Sequence, residues 1–358
     1  MSYSDSLLTA MRRTGDQPAD ELIESVFGDG EKKLAFKNWL DAVQSNAALE
    51  QAGQEFSSNN IVQNSNRLPS WANRKVMNAG NAFFARHAAQ ILNLMGLLSL
   101  PYCYAAADGA MVLHLSERMN QDTGKRLLET ATFIWDVMSP DAFSKNGKGF
   151  SSILTVRLMH AAGRYYTLKS GHWNESWGHP INQEDMAGTN LSFSLIVIRG
   201  LRKLGLQVSY AEQQAFMHLW NVIGFLLGVT GELLPTDGKQ ATDLEEAIRL
   251  RHFKPSAHGQ ELTLSLTKYI TAIDSGTTSG GVSAANVLQL MRYLLGNEIA
   301  DMLAIKSGNL SAVELRLLKL AISAGDLGGG IGGDVSRLYN EAFVKFRKIS
   351  NQALTQLS

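Results

Sequence analysis

Apolar residues recur three and four positions apart along almost all of this 358-residue chain, and that spacing limits its fold more than any other feature. Phe216, Leu219, Trp220, Ile223 and Leu227 form one such stripe, and Met291, Leu294, Leu295, Ile299 and Met302 form another. A helix turns once in about 3.6 residues, so each set gathers on one face. Runs of β-type alternation are nearly absent. The stretch SFSLIVIRGL, from Ser192 to Leu201, has strand propensity. It lies, however, in a long run that ends on basic residues and Gly205, the pattern of a helix C-terminus. The fold class expected is all-α, one large helical domain of about ten to thirteen helices.

Helix boundaries are written in the polar residues. Ser209 with Glu212, Thr242 with Glu245, and Ser311 with Glu314 each match the reciprocal capping box. Ser139-Pro140-Asp141 reads as a cap, a first-turn proline and a first-turn acid. The glycine-rich segment from Gly328 to Gly333 reads as a loop or helix-breaking turn. Between Ala88 and Ala107 there is no charge, over roughly the 20 residues that a membrane span needs. Gln90, Asn93, Ser99 and Pro101 interrupt it, which favours a buried core helix over a membrane-embedded one.

Composition removes several functions. Lys and Arg number 33 against 33 Asp and Glu, a balance that argues against a nucleic-acid binder. The single cysteine, Cys103, leaves no disulfide framework and no multi-thiolate zinc site within the chain, and its apolar setting reads as an inert core thiol. Phosphate-loop, zincin and nucleophile-elbow motifs are missing. The N-terminus shows no basic and apolar leader, so a cytoplasmic location is expected, with membrane association left open.

Two segments carry polar residues where a core helix would carry apolar ones. Arg126, Glu129, Thr130 and Phe133 share one helical face, and Arg157, His160 and Arg164 share another, beside Ala161, Ala162 and Gly163. Spacing alone leaves two readings of His160. One is a core histidine bonded to a carbonyl or hydroxyl. The other is an axial ligand to a flat cofactor, with arginines reaching its propionates.

The order of segments bears on that choice. RLLET runs from Arg126 to Thr130, then comes Ser139-Pro140-Asp141, then VRLMHAAGR from Val156 to Arg164. WGHPINQEDMAGTNLSFS begins at Trp177, HLWNVIGFLLGV begins at His218, and LLP closes at Pro235. This series resembles the family of latex-clearing protein (rubber oxygenase) and the membrane-associated oxygenase of mycophenolic acid biosynthesis. The likeness covers residues 65–310, leaving 1–64 as an N-terminal helical extension and 311–358 as a C-terminal helical segment.

The resemblance implies a globin-like helical core binding one haem b. His160 would be the proximal iron ligand. Arg157 and Arg164 would hold the haem or its propionates, with Arg292, in MRYLLG, a looser match. Arg126 and Thr130 would line the side where dioxygen binds. The implied reaction is oxidative cleavage of a carbon–carbon double bond in an isoprenoid-like apolar substrate, small or polymeric. A haem sensor or carrier without turnover is the alternative. Glu129 stands where the rubber-cleaving branch is expected to carry lysine, so it would act as a base near dioxygen or pair with Arg126 or Arg157. The segment from Lys169 to Asp185 reads as a loop covering the histidine helix. His218 and Trp220 read as core packing or pocket lining.

Overall fold

A computed structural model describes residues 3–51, 56, 59–115, 123–275, 284–308 and 334–357. The regular elements among the described residues are all helices, with no strand and a single antiparallel bridge between Ala106 and Phe253. The all-α expectation holds, with more and shorter helices than ten to thirteen. Two of the expected boundaries, the Ser311–Glu314 cap and the Gly328–Gly333 segment, lie outside the described residues.

The N-terminal segment folds as α1 (Asp5–Arg12), α2 (Gln17–Phe27), α3 (Gly30–Ala42), α4 (Asn46–Gln51) and α5 (Asn60–Asn64). Ser4 caps α1 by accepting from the Leu7 N–H, Pro18 opens α2, and Asp29 caps α3. The backbone of the fold is α6 (Arg74–Leu94), which follows. Its principal partner is α13 (Tyr210–Leu226), and the two approach closely at Gly80, where a Cβ would stand 2.7 Å from the Ala215 carbonyl. Phe83 and Phe216 are fully buried along this seam, each worth about 1.5–3 kcal/mol in burial.

The uncharged stretch is not one helix. After α6 comes a π-helical turn, Met95–Ser99, then α7 (Leu100–Ala105) and α8 (Ala107–Leu115). Pro101 has no N–H to give to the turn before it, and the Ser99 hydroxyl instead donates to the Ser192 carbonyl at 2.6 Å. No helix among the described residues is long and apolar enough to cross a membrane. Cys103 lies in this core with Sγ 3.1 Å from the Ser192 hydroxyl, and burial pushes its thiol up, in keeping with an inert role.

The site-bearing helices come next: α9 (Thr123–Met138) and α10 (Gly149–Lys169). Between them, Ser139-Pro140-Asp141 does not start a helix. Its carbonyls are taken by tertiary donors: Asn81 Nδ2 holds Met138 and Ser139, and Asn46 Nδ2 holds Ala142 and Ser144, so the segment is a chain of turns. SFSLIVIRGL spans two helices, α11 (Gln183–Phe193) and α12 (Leu195–Leu204), broken at Ser194. The second ends at Gly205, with φ of 95°.

The Ser209–Glu212 capping box opens α13 as expected. The Thr242–Glu245 pair does not open α14 (Gly238–His252). Asp237 caps that helix five residues earlier, and Glu245 turns to Arg199. The chain then forms α15 (Ala257–Ser275), α16 (Ala284–Leu295), α17 (Asn297–Met302) and α18 (Val335–Leu357). The last packs on α6, and its Tyr339 hydroxyl donates to the Trp135 carbonyl at 2.6 Å.

Candidate functional site

Helix α10 sits between α2, α9 and α13. Its length suits a rigid platform, about 30 Å for 21 residues at 1.5 Å each. It contains no acid, so its two arginines must find carboxylates elsewhere. They find them in the N-terminal extension. Arg157 donates from Nε and Nη2 to the two oxygens of Asp16, at 2.5 and 2.7 Å, and from Nη1 to the Leu226 carbonyl at 3.3 Å. Arg164 donates from Nε to Asp20 Oδ1 at 2.6 Å and from Nη1 to the Ile181 carbonyl at 3.2 Å. It is only 1% exposed. The shared face read from the spacing is real, and α2 covers much of it.

His160 lies between these pairs. The residue keeps part of its surface accessible, but its Nδ1 is buried without a hydrogen-bond partner. Burial, then the Arg164 charge and more weakly Arg126, lower its pKa to about 4 against the opposing pull of Asp16. The imidazole is therefore neutral at pH 7, the form in which a histidine nitrogen binds a metal. Nδ1 does not make the bond to a carbonyl or hydroxyl that the core-histidine reading expects.

The second face is looser. Arg126 is half-buried, close enough for its charge to act on both His160 and Tyr104. Thr130 donates its hydroxyl to the Arg126 carbonyl at 2.9 Å, one turn back, leaving its oxygen lone pairs free to accept. Glu129 was expected among the inward charges; it is exposed, on the solvent side of α9. Arg292 serves a local purpose. Its Nη1 reaches Asp301 and the Ile305 carbonyl, both at 2.7 Å, and closes α16 onto the chain around α17. The helices against α16 are α15, α17 and the π-turn, so Arg292 is not brought onto the His160 helix.

The loop from Lys169 to Asp185 covers α10 as expected. Ile181 packs on Gly163, where a Cβ would meet its Cδ1 at 3.0 Å. His218 accepts from the Asn73 N–H at 3.0 Å and serves packing. Asp185 sits in the first turn of α11 and Thr189 bonds back along it to the Asp185 carbonyl; Asp185 also accepts from Arg12 at 2.8 Å.

The sequence reading missed Asp16 and Asp20. The signal was present in an acid-free helix with two arginines on its histidine face and in the i, i+4 acids of Asp16-Gln-Pro-Ala-Asp20. It also missed a second buried charge cluster. Glu184, fully buried, takes Arg251 at 2.8 Å and His252 at 2.8 Å. Arg12 joins it from α1, with Asp108 and Lys254 at its edge. Burial alone would raise the Glu184 carboxyl, but His252 and Arg251 together hold it below the usual carboxylate range.

Among the described residues no three His, Cys, Asp or Glu side chains gather as a cage for a bare metal ion. A lone, neutral, unpartnered imidazole fits a metal whose other ligands come with it, as in a porphyrin. The donor set therefore fits haem at His160. The two arginines are already matched by acids, with one free donor remaining, the buried Nη2 of Arg164.

Comparison with known proteins identifies the family and the fold. The family described as ER-bound oxygenase mpaB/B'/Rubber oxygenase, catalytic domain, matches residues 74–324. A rubber oxygenase from Streptomyces sp. (strain K30) is 26% identical over 296 residues, covering 81% of this chain and 70% of that protein. The structure of latex clearing protein LCP in the closed state shares the fold, with a TM-score of 0.77 at 23% identity, over 98% of this chain and 95% of that one.

Proposed function

The chain belongs to the mpaB/rubber oxygenase family and carries its oxygenase catalytic domain, and on that premise we propose that it is a haem-b-dependent oxygenase cleaving a carbon–carbon double bond of an isoprenoid-like apolar substrate. The observation that supports this most is the buried, unpartnered nitrogen of His160. When bound, haem b supplies the redox-active iron at which dioxygen is activated.

The chain's own residues supply the rest. His160 offers a neutral nitrogen and, held at a pKa of about 4, does not compete for it with a proton near neutral pH. Arg157 and Arg164 hold the face of α10 still through Asp16 and Asp20. The buried Nη2 of Arg164 is the donor left for a propionate. Arg126 sets a positive charge beside the site, where a guanidinium stabilises negative charge as it develops on oxygen. Thr130 has lone pairs to accept a hydrogen bond there. Glu129 is exposed on α9, so it is assigned no step here. Cleavage adds one atom of dioxygen to each carbon of the double bond and yields an aldehyde and a ketone end, with no other co-substrate.

The test has two stages. Protein prepared with haem supplied should show a Soret band and one iron per chain. Neither appearing removes the reading. Incubation with unsaturated terpenoids and polyisoprene under dioxygen should yield paired carbonyl products. Haem binding without products from any of them would make the chain a haem sensor or carrier.

A further inference from the structure

The catalytic-domain match begins at residue 74, yet the acids that face the two arginines of the histidine helix come from residues 16 and 20. Asp16 stands at the N-cap of α2, where an aspartate ordinarily accepts a backbone N–H of its own first turn. Here it makes no such bond. Both oxygens are turned outward to Arg157. Asp20 takes part of the local duty, accepting the Asp16 N–H at 3.2 Å through Oδ2 while Oδ1 holds Arg164. A capping bond is thus given up in favour of a contact across to α10.

The surroundings are built for that contact. Asp16 is 4% exposed, so its charge needs a fixed partner. Gly228, with φ of 94°, follows α13. A Cβ there would lie 2.4 Å from Asp16 Oδ2 and 2.9 Å from Arg157 Nε, so the turn has room for the pair only because the residue is glycine. Gln183 locks the flank: its Nε2 donates to the carbonyls of Gly15 and Gly228, and its Oε1 accepts the Thr230 N–H. Arg157 stands one helical turn before His160, and Asp16 is the acid whose charge acts on that imidazole.

We propose that Asp16 is a positioning residue for the metal-ligating histidine: its carboxylate, supplied by the N-terminal helix, fixes Arg157 and so the face of α10 that presents His160, with Asp20 doing the same for Arg164. The inference rests on the haem reading above. It makes the N-terminal extension part of the site and not an appendage to it.

The test uses the full chain reconstituted with haemin. D16N removes the charge and keeps the size; D16E keeps the charge. The readouts are haem transfer to excess apomyoglobin, the iron midpoint potential, and thermal unfolding. D16N should lose haem on the order of tenfold faster, the scale of a lost partner to a metal ligand. Its midpoint potential should rise, because removing a nearby negative charge disfavours ferric iron. D16E should recover much of both. A lowered melting temperature with wild-type transfer rate and potential would mean a purely structural pair and would overturn the proposal. If D16N does not fold, R157K carries the same test, since lysine keeps the charge but not the two-pronged contact. Unchanged transfer in R157K would likewise overturn it. Failure of the wild-type chain to take up haem would instead overturn the haem reading, and this inference with it.

Discussion

His252 and His160 both lie on long helices under the N-terminal segment, and the chain provides for them differently. His252, at the end of α14, is 6% exposed and has the Glu184 carboxylate 2.8 Å from its Nε2, with Arg251 and Arg12 completing the cluster. His160 has charged pairs on either side that satisfy each other, and its buried Nδ1 is left with no partner. A fold normally satisfies its buried polar atoms, because leaving one unpaired costs about 1–3 kcal/mol. The same chain that finds a carboxylate for one histidine withholds one from the other. We read the first arrangement as architecture and the second, on the proposed haem function, as a nitrogen kept available.

The sharpest way to break that contrast is to delete each imidazole. H160A should lose haem retention altogether, while H252A should keep the spectrum of the haem-loaded chain and lose stability instead. Equal spectra in the two variants would erase the distinction. Next in size, E184A should cost about 3–5 kcal/mol in urea unfolding, because it strands buried positive charge. A cost under about 1 kcal/mol would show that the cluster is solvated and the comparison misplaced.

Acid should also act through His160. In the haem-free chain, folded His160 binds its proton near pH 4, whereas the unfolded form does so near 6.5. The unfolded state thus takes up the proton first. Stability is complete above about pH 6.5 and falls as the pH drops toward 4, by at most about 3 kcal/mol. H160Q should flatten that part of the stability profile; a profile identical to wild type would show that another group is responsible. The smallest effect belongs to Glu129. E129Q should change stability by less than about 0.5 kcal/mol and leave the spectrum untouched. A marked loss of oxygenase turnover in E129Q would return this residue to the chemistry.

Periodicity and caps made the helical class legible, because burial of one face and satisfaction of first-turn N–H groups are local demands. The Ser209–Glu212 box and the stop at Gly205 are such cases. Long-range bonds decided the failures. Ser139-Pro140-Asp141 has the letters of a helix start, but Asn81 and Asn46, remote in sequence, take the nearby carbonyls. Glu245 fits a capping box and instead serves Arg199 and Tyr102, because a buried carboxylate follows the nearest cation and hydroxyl. At the site, the shared face of Arg157, His160 and Arg164 followed from spacing. Their partners did not, since nothing local to α10 names Asp16 or Asp20. Glu129 was misread because a helical face half-buried at Arg126 and Thr130 need not be buried at the residue between them.

The central claim, that His160 is the nitrogen left for iron, is tested most directly by H160G supplied with haem and titrated with free imidazole. The account predicts no Soret band without imidazole and recovery of the wild-type spectrum as imidazole fills the vacated place. A wild-type spectrum in H160G before any imidazole is added would contradict it.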